Sequence, residues 1–157
     1  MPLRDYQREC LESILQYFQV KSGNPLCCLP TGSGKSHIIS GFIDKINEYP
    51  DQRIIVLAHR KELIEQNAAK CNCEHGIYSA GLNRKQHKKN VVFAGIQSVY
   101  KHPQKFGKRD IMIIDECHLV PHKSEGQYRA FIDGLLETNE HMKIVGFTAT
   151  PYRMSGS

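Results

Sequence analysis

The sequence contains no apolar run that approaches the ~20 residues needed to cross a membrane, and its first residues lack the pattern of a signal peptide. It has no Cys-x-x-Cys pair, no internal repeat and no low-complexity segment. Six cysteines are present, but Cys27 and Cys28 are neighbours within an apolar stretch, which argues against a disulfide framework. We therefore expect a soluble protein of the reducing cytoplasm, with no membrane span.

The composition indicates a globular domain, because 157 residues with 40% hydrophobic content are sufficient for one well-buried core. Five short segments are almost continuously apolar, as expected for parallel strands that are covered on both faces. They are residues 26–29, 53–58, 91–94, 111–114 and 143–147. Helical periodicity is found at residues 3–18, 35–49, 60–70 and 127–136. This alternation predicts an α/β fold with a three-layer, doubly wound, mostly parallel sheet.

A glycine-bearing loop connects the first predicted strand to the helix at residues 35–49, whose apolar stripe runs from Ile38 to Tyr49. Strand, loop and helix in this order are typical of a phosphate-binding loop, since small residues let backbone N–H groups converge on a phosphate at a helix N-terminus. The predicted ATP cradle comprises Pro30, Thr31, Gly32, Ser33, Gly34, Lys35 and Ser36. Leu29 stands where the usual pattern has glycine. The alternative is an ordinary turn between a strand and a helix.

Within this cradle Lys35 is expected to reach the β- and γ-phosphates, and the Ser36 hydroxyl is expected to ligate Mg²⁺. A second motif follows the apolar segment 111–114, where Asp115 and Glu116 stand at the end of a predicted strand. Asp115 is well placed to hold Mg²⁺ through water, and Glu116 to polarise the water that attacks the γ-phosphate. The alternative is a pair of acidic residues that favours a helix N-terminus.

Six motifs follow one another along the chain: Arg-x-Tyr-Gln ending at Gln7, then residues 29–36, 58–63, 95–98, 115–118 and 148–151. In this order they resemble the motifs of superfamily 2 helicases, in the first RecA-like domain of the DEAD/DEAH and ResIII type. Within that superfamily the chain most resembles the RadD-type DNA repair helicases. The helicase subunits of type III restriction enzymes are the next nearest.

The resemblance implies a role for several individual residues. Gln7 would read the adenine edge, with Arg4 close to the base, and Lys35, Asp115 and Glu116 would be catalytic. The residues that would couple hydrolysis to movement are His118, Thr148 and Thr150. The residues that would line the nucleic-acid path are His59, Arg60, Gln97 and Ser98.

The resemblance also implies an ATP- and Mg²⁺-dependent helicase or translocase that acts on nucleic acid, with DNA favoured over RNA. Residues 1–150 would form the first RecA-like domain, and residues 151–157 would begin a linker to a second one. That second domain would supply an arginine finger worth about 10³–10⁵ in rate, so the isolated chain is expected to be nearly inactive. The alternatives are a restriction-type translocase that does not unwind, an RNA helicase, and a phosphate-loop kinase, which has no use for a hydrolytic base.

Two further features leave alternatives open. The net charge is +5, and basic residues concentrate at 84–89 and 101–109, where they either contact phosphates or are solvated. The segment Cys71–His75 has the ligand types of half a zinc site, but no matching second half is present, and a reduced surface loop is the simpler interpretation.

Overall fold

The computed structural model describes residues 26–28, 35–115 and 122–148. Within these ranges seven strands form one sheet in the order β1-β7-β6-β2-β5-β3-β4. The strands are β1 Leu26–Cys28, β2 Ile54–Ala58, β3 Gly76–Ser79, β4 Arg84–Lys85, β5 Val91–Gly95, β6 Ile111–Ile114 and β7 Lys143–Thr148. All neighbouring strands are parallel except β3 and β4. The predicted α/β fold with a mostly parallel sheet is therefore confirmed.

In the described ranges, four α-helices and two 3₁₀ turns accompany the sheet. The helices are α1 Lys35–Ile46, α2 Lys61–Lys70, α3 Ile96–Val99 and α4 His122–Thr138, and the 3₁₀ turns are Ala80–Leu82 and Pro103–Phe106. The predicted helix at residues 35–49 was too long, since Tyr49 lies beyond α1 and is 59% exposed rather than part of the apolar stripe. The helix predicted at residues 3–18 lies outside the described part of the chain.

The helices cover the sheet on both faces, which makes three layers. Side chains of alternate residues in a strand point to opposite faces. Ile54 and Val56 of β2 pack in the same cluster as α1 and α2, whereas Ile55 and Leu57 pack with α3, α4 and the turn Pro103–Phe106. Two apolar cores therefore lie on either side of one sheet. Among the helices described, none is long and apolar enough to cross a membrane.

The register of the central strands brings their carboxyl ends to one edge. Ala58 of β2 is opposite Gly95 of β5, and Leu57 is opposite Ile114 of β6. The residues that follow these three strands therefore emerge together, at the edge where open α/β sheets bind ligands.

The opposite, amino edge is held by two arginines. Arg109 is fully buried, and its guanidinium donates to the carbonyls of Phe106, Ile54, Asn90 and His87 at 2.8 to 3.1 Å. The guanidinium of Arg53 also donates to the carbonyl of Phe106 and to three more carbonyls, those of Lys108, Lys88 and Lys89. The interpretation of Arg109 as part of a solvated or phosphate-contacting basic segment is therefore wrong.

Candidate nucleotide-binding site

Helix α1 begins at Lys35 and places Ser36 in its first turn, at the carboxyl edge of the sheet. The backbone of Lys35 is described, whereas its side chain is not. Most of the predicted cradle lies outside the described residues, as do both adenine-contacting candidates. These residues are Arg4, Gln7, Pro30, Thr31, Gly32, Ser33 and Gly34.

Ser36 and Asp115 are joined through one side chain of α2. The Ser36 hydroxyl donates to Oδ1 of Asn67 at 2.9 Å, and Nδ2 of Asn67 donates to Oδ2 of Asp115 at 2.8 Å. Asn67 is 2% exposed and Asp115 is fully buried. The two residues predicted to hold Mg²⁺ thus face the same place, although 79 positions separate them in the chain.

This set of donors suits Mg²⁺, which takes oxygen ligands and usually combines one or two protein groups with substrate phosphates and water. A serine hydroxyl and a carboxylate are such groups. Because Ser36 and Asp115 supply two of the oxygen ligands that Mg²⁺ takes, the pair fits a cation whose other ligands are phosphate oxygens and water. Glu116, the predicted catalytic base, lies outside the described residues.

The four candidate nucleic-acid residues lie at the same edge. Arg60 precedes α2 as its N-cap residue, and the side-chain amide of Gln97 donates to the carbonyl of His59 at 3.1 Å. The Ser98 hydroxyl accepts from the backbone N–H of Ala80 at 2.9 Å. The structure therefore brings together the segments after β2, β3 and β5. Arg60 and Gln97 are exposed.

The three coupling candidates are less completely described. Thr148 ends β7 beside Cys28 of β1, and its side chain is not described. His118 and Thr150 lie outside the described residues.

Comparison with known proteins identifies the family. The family model described as "Type III restriction enzyme, res subunit" matches residues 1–153. The chain belongs to this family. Membership confirms the predicted superfamily 2 helicase domain and supports the predicted use of ATP. The finer resemblance to RadD-type helicases stays a prediction.

Relatives of this res-family chain are longer than the chain itself. It is 27% identical over 167 residues to IRC3 of Saccharomyces cerevisiae, which is named as an ATP-dependent helicase, and this match covers 94% of the chain but 23% of IRC3. The UvsW helicase of bacteriophage T4 superposes with a TM-score of 0.72 at 23% identity, over 95% of this chain and 53% of UvsW. The Sulfolobus solfataricus SWI2/SNF2 ATPase core, solved with dsDNA, superposes with a TM-score of 0.70 at 14% identity, over 96% of this chain and 32% of that core. These two structures support the fold alone.

Asn67 is the site residue of this res-family chain that the sequence interpretation missed. A signal was present, since Leu63, Ile64 and Ala68 form the apolar face of α2 and an asparagine at position 67 interrupts that face. A buried amide is costly unless its polar atoms are hydrogen-bonded, so such a residue indicates a specific partner. Its partners were not predictable, because they lie 31 and 48 positions away.

The cysteine cluster after α2 forms a local turn. Sγ of Cys71 lies 3.3 Å from Sγ of Cys73, and Nδ1 of His75 contacts the carbonyl of Cys73 at 2.9 Å. Burial raises the pKa of the Cys71 thiol to about 12. In the part of the chain that the structure describes, these side chains do not belong to a group of three or more potential metal ligands.

The basic run at residues 84–89 is partly structural in this res-family chain. Arg84 and Lys85 form the exposed edge strand β4, a strand that the sequence analysis did not predict. Lys89 forms an ion pair with Glu74, and the carbonyls of Lys88 and Lys89 accept from Arg53. Residues 88 and 89 are therefore held in place at the amino edge of the sheet.

Proposed function

We propose that this chain is the ATP-binding domain of a nucleic-acid motor that couples ATP hydrolysis to movement along a strand or to unwinding. The observation that carries the proposal is the convergence of Ser36 and Asp115 through Asn67, at the edge that also presents Arg60 and Gln97. A nucleotide site and a candidate strand-contacting surface at one edge are what a motor requires.

In this proposal Ser36 and Asp115 hold Mg²⁺, which neutralises charge that develops on the phosphates. Lys35 binds the β- and γ-phosphates, with the loop residues Pro30 to Gly34 around them. Glu116 accepts a proton from the attacking water, as a general base does. Gln7 and Arg4 contact the adenine.

The proposed strand-binding residues are His59, Arg60, Gln97 and Ser98. An arginine, an amide and a hydroxyl contact phosphate and sugar, which positions a strand without reading its sequence. His118, Thr148 and Thr150 are proposed to transmit hydrolysis to that surface. We favour DNA over RNA, because the family is described by a subunit of a restriction enzyme, a class of enzyme that acts on DNA, and the net charge of +5 suits either polyanion.

We propose a second RecA-like domain as a partner, with residues 1–150 forming the first domain and residues 151–157 starting the linker. The chain spans 23% of IRC3 and 53% of UvsW, which leaves room for such a domain in a longer protein. An arginine finger from outside would accelerate hydrolysis by about 10³–10⁵, so we expect the 157-residue chain to bind ATP and hydrolyse it slowly.

The test replaces the proposed general base. Glu116→Gln in the full-length protein should retain ATP binding and abolish turnover, so that radiolabelled ATP stays trapped after filtration. Glu137→Gln alters an exposed glutamate of α4 and is the matched control, which should keep wild-type turnover. A Glu116→Gln protein that hydrolyses ATP at the wild-type rate would contradict the proposal.

A second candidate is a translocase that moves along DNA without unwinding it, which the family description of a restriction-enzyme subunit favours. Stimulation of the ATPase by single-stranded DNA, duplex DNA and RNA identifies the polymer. A strand-displacement assay then separates the two functions, because a pure translocase consumes ATP on DNA and releases no strand.

A further inference from the structure

Asn67 occupies a position that core packing alone does not explain. Its neighbours on the inner face of α2 are Leu63, Ile64 and Ala68, all buried, and an apolar residue would continue that face. Instead an amide lies 2% exposed and uses both of its polar atoms, one on Ser36 and the other on Asp115.

The direction of these two bonds is set by chemistry. An ionised carboxylate only accepts hydrogen bonds, so the amide must turn its NH₂ group toward Asp115 and its oxygen toward Ser36. The hydroxyl of Ser36 is therefore the donor in the other bond. Exchanging the amide oxygen and nitrogen would bring two acceptors together at 2.8 Å.

This arrangement prepares both oxygens for a cation. A hydroxyl has one donor and two acceptor lone pairs, so a Ser36 hydroxyl that donates to Asn67 keeps its lone pairs for a metal. The bond to Asp115 takes one of about four lone-pair sites of the carboxylate. Asn67 thus fixes the rotation of both groups and does not compete with the cation for their lone pairs. Residues that hold metal ligands in this way typically change metal affinity about 10–100-fold when they are replaced.

We propose that Asn67 is a positioning residue, which orients Ser36 and Asp115 toward the divalent cation of the bound nucleotide. The proposal rests on the proposed function, because it needs Ser36 and Asp115 to hold that cation. It assigns to α2 a contribution to the nucleotide site in addition to the candidate strand contacts near its first residue.

The experiment measures binding without turnover. A fluorescent, non-hydrolysable ATP analogue is titrated into the 157-residue chain, once in excess EDTA and once over a series of Mg²⁺ concentrations. Asn67→Leu keeps the approximate shape of the side chain and removes both hydrogen bonds. Asn72→Leu replaces an exposed asparagine just beyond the same helix and is the matched control.

We expect Asn67→Leu to leave the affinity in EDTA unchanged and to raise the half-saturating Mg²⁺ concentration about tenfold or more. Asn72→Leu should behave as the unaltered chain does. An equal loss of affinity with and without Mg²⁺ would mean that Asn67 only supports the fold, which overturns the inference. An unchanged Mg²⁺ response would overturn it too.

Failure of the proposed function gives a different result, since the unaltered chain would then show no binding, or no effect of Mg²⁺ on binding. A second measurement needs no variant of Asn67. In ¹⁵N-labelled protein with bound analogue, addition of Mg²⁺ should shift the side-chain NH₂ signal of Asn67 and leave that of Asn72 in place. If the Asn67 signal does not move, the inference is wrong even where Asn67→Leu fails to fold.

Discussion

Replacing Arg109 by methionine should destabilise the protein substantially, although Arg109 lies at the edge of the sheet opposite the candidate nucleotide site. Its guanidinium makes four hydrogen bonds to backbone carbonyls and its own carbonyl accepts from the Asn139 side chain. Burial and the nearby charge of Arg53 lower its pKa to about 9, so the group stays charged at neutral pH. Methionine fills part of the volume and donates nothing.

The magnitude follows from the carbonyls that lose their donor. The bonds to Phe106 and Ile54 are buried, but the Phe106 carbonyl keeps its hydrogen bond from Arg53. The Ile54 carbonyl is therefore the buried acceptor that depends on Arg109, whereas the bonds to Asn90 and His87 are partly buried and can be replaced by water. Each buried acceptor left without a partner costs about 1–3 kcal/mol. Removing the buried charge recovers some of its desolvation penalty. We therefore expect a loss of about 1–3 kcal/mol.

Urea unfolding, followed by circular dichroism, measures this loss. Arg129→Met changes an exposed arginine of α4, and its free energy of unfolding should differ from that of the unaltered protein by less than about 0.5 kcal/mol. Arg109→Lys should fall between the two, since an ammonium keeps the charge but cannot reach several carbonyls with one planar group. If Arg109→Met and Arg129→Met unfold at the same midpoint urea concentration, the guanidinium of Arg109 does not stabilise the amino edge of the sheet as we infer.

Two further predictions concern α4 and the turn after α2. Gly134→Ala should lower the free energy of unfolding by about 1–3 kcal/mol, because a Cβ atom there would lie 2.4 Å from Cγ of Pro103. At Gly126, in the same helix, a Cβ atom would meet no atom within 4 Å, so Gly126→Ala should raise the free energy of unfolding by about 0.5–1 kcal/mol. Thermal melts of the two variants should therefore shift in opposite directions, and a shared direction would refute the packing at Pro103. Since burial raises the pKa of Cys71 to about 12, iodoacetamide at pH 8 should modify this thiol roughly 1000-fold more slowly than in the urea-unfolded chain, and faster as the pH approaches 12. Mass spectrometry locates and quantifies the label on Cys71. Equal labelling of the folded and the urea-unfolded chain would contradict the prediction.

The parts of the fold that were predictable are those whose cause is local. Strands β2, β5 and β6, and β7 between its end residues Lys143 and Thr148, consist of apolar residues and glycine, a pattern that indicates a strand buried on both faces. Strand β3 contains Gly76 and Ser79 around two apolar residues, and it becomes a strand through parallel pairing with β5. Helix α3 has only four residues, too few for a periodic signal.

The candidate site divides in the same way. Short motifs predicted that Ser36 lies at the start of a helix and that Asp115 lies at the end of a strand. Short motifs also predicted the placement of Arg60 and Gln97. The link through Asn67 did not, because a side chain on a third element supplies it. A polar residue on an apolar helix face signals that a partner exists, while the identity of that partner depends on how the helix packs.

The two edges of the sheet are built differently, and the difference bears on how a site of this kind works. At the amino edge, Arg53 and Arg109 satisfy backbone carbonyls of the segments that enter β2, β5 and β6, so the starts of these strands are tied together. At the carboxyl edge the described segments are joined by the amide side chains of Asn67 and Gln97 and by the backbone hydrogen bond from Asp115 to Leu57. Backbone held at one end by charged donors can keep its register while side chains at the other end exchange partners. A nucleotide, its cation and a strand of nucleic acid could then bind at the carboxyl edge without disturbing the core beneath it.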